Sequence, residues 1–125
     1  MNKKIGFIGI GLMGFPMAKN ILKAGFNLKV FNRSKNKAET LKEHGAEISS
    51  TIKEVISDSD IIITMLTDDA AIDEVMKSNE FQDNLKSGVT VIDMSSVKPK
   101  TAIKHGDNFK SKNINYLDAP VSGGT

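Results

Sequence analysis

The sequence predicts an α/β domain built as a doubly wound parallel sheet, and three observations predict it. Apolar runs of strand character alternate with helical patterns along the whole chain. The first of these runs, Ile5 to Ile10, is interrupted only by glycine, which suits a parallel strand covered on both faces. It feeds Gly9, Gly11 and Gly14, a GxGxxG spacing that opens an amphipathic helical segment.

That first strand, turn and helix are the opening unit of a Rossmann-type dinucleotide-binding fold. Gly9 allows the tight turn, Gly11 lets the backbone approach a pyrophosphate, and Gly14 lets the helix pack close to the strand. Gly9, Ile10, Gly11, Leu12, Met13 and Gly14 are therefore the candidate pyrophosphate cradle. The free N–H groups and positive dipole end of the helix face the phosphates. Met13, Met17 and Ile21, with Ala18 and Leu22 beside them, recur at helical spacing, and Gly25 stands where a C-terminal cap belongs. Pro16 is expected in about the first turn, where its missing N–H costs little. A glycine-rich turn without a ligand is the plainer alternative, which the strand and capped helix on either side argue against.

Bulk properties narrow the class. A chain of 125 residues is read as one domain, 1–125, large enough for a real core. With 26% charged and 39% hydrophobic residues it reads as a water-soluble globular protein. It contains no apolar stretch of membrane-spanning length and no secretory signal, so no membrane association is expected. The absence of cysteine excludes disulfides and thiolate chemistry and fits a cytoplasmic location. A net charge of +2 is too small to argue for nucleic acid. Of the 17 basic residues only Arg33 is an arginine, which invites a specific explanation.

The second strand, Asn27 to Phe31, ends at Asn32-Arg33-Ser34, about 20 residues past the glycine turn, where this fold meets the adenosine ribose. An acidic residue there would accept hydrogen bonds from a free 2′-hydroxyl and repel a 2′-phosphate. Asn32 is neutral, and Arg33, Ser34, Lys35 and Lys37 follow it. Arginine forks onto phosphate and stacks on adenine better than lysine does, so NADP is expected before NAD. A solvated basic turn is the alternative.

Lys35 to His44 reads as the second helix, closed by Gly45, and Glu47-Ile48 as a short third strand. Thr51-Ile52-Lys53-Glu54 matches a capping box ahead of a short third helix. His44 and His105 are read as surface residues. Ile61 to Leu66 is an interior strand leading through Thr67-Asp68-Asp69 to a helix over Ala70 to Met76. The two aspartates are read as caps, and no metal site is expected. Leu66 and Thr67, at the strand's carboxyl end, should lie beside the cofactor. Asn79 to Leu85 suits one short helical turn, and Val89 to Met94 is the fifth strand, followed by Ser95-Ser96-Val97. Pro99 opens a helix running to about Phe109 or Lys112. Ile114 to Asp118 is the sixth strand and leads into Ala119-Pro120-Val121-Ser122-Gly123-Gly124-Thr125.

These residues resemble the β-hydroxyacid dehydrogenase family, which includes 3-hydroxyisobutyrate dehydrogenase and the glyoxylate/succinic semialdehyde reductases. Phe7-Ile8-Gly9-Ile10-Gly11-Leu12-Met13-Gly14 with Pro16-Met17-Ala18 and Asn20 is similar to its amino-terminal signature. Asp118-Ala119-Pro120-Val121-Ser122-Gly123-Gly124 is similar to its substrate-binding motif. The resemblance implies that Leu66, Thr67 and Ser96 touch the cofactor, and that Asn32, Arg33, Ser34 and Lys37 mark the NADP-using branch. It also implies that Ser122, Gly123 and Gly124 grip the carboxylate of a small substrate. Ser96 stands where the family commonly has threonine. The family's catalytic lysine lies further along, before a helical domain, so no catalytic residue is expected within Met1 to Thr125 and this stretch alone is expected to be inactive. The complete enzyme is expected to form a homo-oligomer. Two other readings stay open: a non-catalytic dinucleotide-binding or sensing module, and an enzyme similar to 6-phosphogluconate dehydrogenase.

Overall fold

The computed structural model describes residues 3–9, 11–32, 35–66, 69–94, 106–110 and 113–119, with the backbone alone described at 11–13, 35–38, 69–71 and 118. In chain order the elements are β1 (Lys4–Ile8), α1 (Gly11–Lys23), β2 (Asn27–Phe31), α2 (Lys35–Lys42), β3 (Glu47–Ile48) and α3 (Ile52–Ser57). They continue as β4 (Ile61–Thr64), α4 (Asp69–Lys77), α5 (Asn79–Asn84), β5 (Thr90–Asp93) and β6 (Asn115–Asp118). Residues 106–110 are also helical.

Local chemistry sets the helix ends. Thr51 caps α3 by accepting the Glu54 N–H at 3.2 Å, and Ser78 caps α5 by accepting the Phe81 N–H at 3.1 Å. At the end of α1 the Gly25 N–H reaches Leu22 O at 3.0 Å and the Phe26 N–H reaches Ile21 O at 3.4 Å, the paired bonds of a Schellman cap. Gly45 and Ala46 repeat the arrangement behind α2, on Lys42 O and Leu41 O. Pro16 departs from expectation. Because α1 begins at Gly11, Pro16 lies in its second turn and removes the donor that would serve the Leu12 carbonyl.

All five strand pairings are parallel, and the sheet order is β3-β2-β1-β4-β5-β6. Side chains alternate between faces along each strand, so the four inner strands β2, β1, β4 and β5 feed two separate cores. Ile5, Phe7, Leu28, Val30 and Ile63 pack on one face with Ala18 of α1 and Leu41 of α2. Ile8, Ile62 and Val91 pack on the other with Val55 and Ile56 of α3, Ile72 and Met76 of α4, Phe81 of α5 and Phe109. The helices thus divide between the faces, which makes the sheet doubly wound. Chain direction reverses its lateral progress between β1 and β4: β2 and β3 lie to one side of β1, and β4, β5 and β6 to the other. That junction is the topological switch point, where ligands of open α/β sheets bind.

Candidate functional site

One register row crosses five strands at their carboxyl ends. Ile8 pairs with Phe31 and with Thr64, Thr64 with Asp93, and Asp93 with Asp118. Each group of residues singled out from the sequence follows a member of this row. Gly9 to Gly14 follow Ile8, Asn32 follows Phe31, Leu66 follows Thr64 by two positions, and Ala119 follows Asp118. Parallel connectivity alone therefore gathers these segments at one edge.

Gly9 directly follows Ile8, the member of that row on β1. It has φ +85°, a conformation that side-chain-bearing residues rarely adopt. A Cβ there would overlap the Met65 carbonyl oxygen and come within 2.7 Å of Leu66 Cδ2. The turn is fastened on both sides: the Gly9 N–H donates to Phe31 O at 2.9 Å, and the Met65 N–H donates to Ile8 O at 2.9 Å. The backbone of β1 thus passes under the end of β4 with no room for a side chain, and α1 opens two residues later at Gly11. Gly14, one turn into α1, is close but less confined, since a Cβ there would lie 3.3 Å from Phe7 Cε1 and 3.4 Å from Gly9 O.

A second close approach lies elsewhere, tighter than that at Gly14. Gly6, which reads in the sequence only as an interruption of an apolar run, faces α3. A Cβ at Gly6 would meet both Ser59 Oγ and Val55 Cγ1 at 2.5 Å. Ser59 is turned inward there by donating to the Val55 carbonyl, so β1 and α3 meet backbone to side chain. The fit of this edge to a dinucleotide rests on the Gly9 cradle, which a Cβ would fill, and on the N-terminus of α1 beside it.

Of the other residues predicted from sequence, Asn32 and Leu66 are half-buried at the ends of their strands, and Gly11, Leu12 and Met13 begin α1. Lys37 belongs to the first turn of α2. Ile10, Arg33, Ser34, Thr67, Ser96, Ser122, Gly123 and Gly124 lie outside the described residues. His44 is exposed, its ring edge-on to Phe15 at 6.3 Å.

Sequence reasoning missed one polar cluster at this edge. Thr64 and Asp93 are both fully buried, and Thr64 Oγ1 donates to Asp93 Oδ1 at 3.0 Å. The Tyr116 hydroxyl is directed at Asp93 Oδ2 over a longer 3.4 Å, and the Tyr116 ring stacks on Phe109 at 5.4 Å. The one available signal was an aspartate closing the apolar run Val89-Thr90-Val91-Ile92-Asp93.

The opposite edge carries exposed charge. Asp58 accepts from Lys4 Nζ at 3.1 Å and lies 3.4 Å from Lys29 Nζ. The hydrogen bond from Lys4, then that from Lys29, holds the Asp58 carboxyl below the usual aspartate range. A cleft of about 230 Å³ opens here, lined by Phe26, Lys4, Lys29, Glu47 and Asp58. Its lysines are already neutralised by carboxylates. Among the described residues no cluster of three or more metal-ligating side chains forms, and no helix is long and apolar enough to cross a membrane.

Comparison with known proteins agrees with this geometry. The family model described as the NAD binding domain of 6-phosphogluconate dehydrogenase matches residues 4–125. The uncharacterized oxidoreductase YkwC of Bacillus subtilis is 43% identical over 125 residues, 99% of this chain and 43% of its own length. A probable mitochondrial 3-hydroxyisobutyrate dehydrogenase of Dictyostelium discoideum is 39% identical over 99% of this chain and 39% of its own. Among solved structures, the 3-hydroxyisobutyrate dehydrogenase of Mycobacterium tuberculosis, solved with L-serine, superposes with TM-score 0.88 at 28% identity, covering 99% of this chain and 42% of its own. An imine reductase from Myxococcus stipitatus in complex with NADP+ gives TM-score 0.85 at 28% identity, over 90% of this chain and 39% of its own. A variant of that reductase is in complex with NAD+. The chain spans less than half the length of these relatives.

Proposed function

The chain belongs to the family of NAD binding domains of 6-phosphogluconate dehydrogenase, in the form found among 3-hydroxyisobutyrate dehydrogenase-like proteins, and on that premise we propose a specific role. It is the cofactor-binding domain of an NADP-dependent oxidoreductase acting on a small β-hydroxyacid or semialdehyde. The observation that carries the reading is Gly9, held at φ +85° under the Met65 carbonyl at the switch point of the sheet, directly ahead of α1.

When bound, the nicotinamide gives or takes the hydride. The chain's own residues bind and orient. Backbone N–H groups at the start of α1, from Gly11 through Met13, receive the pyrophosphate charge. Asn32, Arg33, Ser34 and Lys37 follow β2 and bind the adenosine 2′-phosphate, Arg33 through its forked guanidinium. Leu66 and Thr67 after β4, and Ser96 after β5, line the cofactor. Ser122, Gly123 and Gly124 hold the substrate carboxylate through a hydroxyl and unhindered N–H groups. That a relative was solved with L-serine, itself a β-hydroxyacid, supports the substrate class. The complete protein acts as a homo-oligomer in the cytoplasm, with a small carboxylate substrate as its partner.

Parallel calorimetric titrations of the 125-residue chain with NADPH and NADH test the reading. Saturable binding with NADPH preferred is the expected outcome. NADH binding equally well would remove the 2′-phosphate assignment, and binding of neither would overturn the dinucleotide reading of this chain.

A further inference from the structure

The register row that gathers the site also contains a polar pair that the stability of a sheet does not ask for. On the face covered by α4 and α5, the residues one step earlier in β4 and β5 are Ile62 and Val91, both fully buried and apolar. One step nearer the candidate site the same two strands carry Thr64 and Asp93, also fully buried. Removing a carboxyl from water is unfavourable unless its oxygens are matched, and an apolar pair of similar size would serve packing at least as well.

The oxygens are matched, and by side chains from other strands. Thr64 Oγ1 on β4 donates to Asp93 Oδ1 at 3.0 Å, and the Tyr116 hydroxyl on β6 faces Oδ2 at 3.4 Å. The Tyr116 ring is itself held by stacking on the fully buried Phe109. Backbone bonds continue the ladder past this point, from the Met94 N–H to Thr64 O at 2.8 Å and from the Ala119 N–H to Asp93 O at 2.9 Å. They fix the register of the three strands as far as Met94 and Ala119. Each of the three strands joined by Asp93 leads into a segment assigned to the site: Leu66-Thr67 after Thr64, Ser96 after Asp93, and Ser122 to Gly124 after Tyr116.

We propose that Asp93 is a positioning residue that locks the carboxyl ends of β4, β5 and β6 together, so that the cofactor-facing and substrate-facing segments are held as one unit. The inference rests on the dinucleotide reading above. It predicts that affinity for NADPH depends on a side chain that never touches NADPH.

The test compares four chains by calorimetric titration with NADPH, each well below its own melting temperature: wild type, Asp93→Asn, Thr64→Val and the double variant. An amide offers one acceptor oxygen where the carboxyl offers two, so Asp93→Asn cannot hold both hydroxyls as acceptor. Asp93→Asn is expected to weaken binding about tenfold and Thr64→Val about threefold, with the double variant no weaker than Asp93→Asn alone, because the two act through one bond. Val89→Ala, a buried position just ahead of β5, serves as a control that lowers the melting temperature without moving the dissociation constant. A folded Asp93→Asn chain that binds NADPH as wild type does would overturn the positioning role and leave the dinucleotide reading standing. So would a Val89→Ala chain that loses affinity to the same extent. Should Asp93→Asn not fold, Thr64→Val is read the same way. Wild type that binds neither NADPH nor NADH would overturn both.

Discussion

The two ends of the same parallel strands hold their carboxylates in different ways. At the amino end, Asp58 lies half-exposed between Lys4 and Lys29, an arrangement that water and salt weaken. At the carboxyl end, Asp93 is fully buried between two hydroxyls, out of reach of screening. The same residue type is a replaceable surface charge at one end and part of a dry network at the other. In a parallel sheet the chemistry collects at the carboxyl ends, and there the polar groups are buried, matched and close to the glycine turn.

The largest expected effect comes from the turn itself. Gly9→Ala adds a Cβ where the Met65 carbonyl already sits, at a positive φ. It is expected to cost about 3 kcal/mol of stability from left-handed strain and overpacking together, and to abolish dinucleotide binding. Chemical denaturation and titration read the two losses separately, and a stable variant that still binds would contradict the role of the Gly9 turn.

A smaller and more selective effect is expected at the segment after β2. Arg33→Ala should weaken NADPH by about 1 to 3 kcal/mol, the scale of a lost charge-assisted hydrogen bond, and leave NADH nearly unchanged. Equal losses for both dinucleotides would remove Arg33 from the 2′-phosphate.

The smallest effect belongs to the amino end. Asp58→Asn should leave NADPH affinity unchanged and lower the melting temperature slightly, a difference that added salt erases. The sign with pH follows from the lowered Asp58 value. A carboxyl that ionises more easily folded than unfolded stabilises at neutral pH, and that contribution fades as the pH falls through the ordinary aspartate range and below it. The gap between wild type and Asp58→Asn should therefore close on acidification, and a gap that widened would contradict the ion pairs.

What the sequence disclosed, and what it hid, follows from the range of each interaction. The Thr51 cap, the Gly25 and Gly45 helix ends and the apolar strands depend on neighbours within a few residues, so their residue types announce them. Alternation of strands and helices implied the doubly wound sheet, because a helix between two strands carries the chain back across the sheet and leaves the strands parallel. Gly6 was unreadable because its neighbours are Val55 of α3 and Ser59 just beyond that helix, about 50 residues away in sequence. Asp93 was unreadable for the same reason, its partners lying 29 and 23 residues away in sequence. Pro16 was misplaced by a turn because the glycine spacing indicated where a helix should begin without saying how soon its ladder would close.

The position of β1 between β2 and β4 also has a temporal side. As the chain leaves the ribosome, β2 arrives soon after β1, but the partner on the other edge, paired Ile5 to Ile61, follows 56 residues later. At about 5 to 20 residues per second that is a wait of roughly 3 to 11 s. Through that interval one edge of β1 is unpaired, and the Gly9 turn is held by Phe31 alone, without the Met65 bond that completes it. Both fastenings of the Gly9 turn can coexist only once residue 65 has been made, because the second is donated by the Met65 N–H.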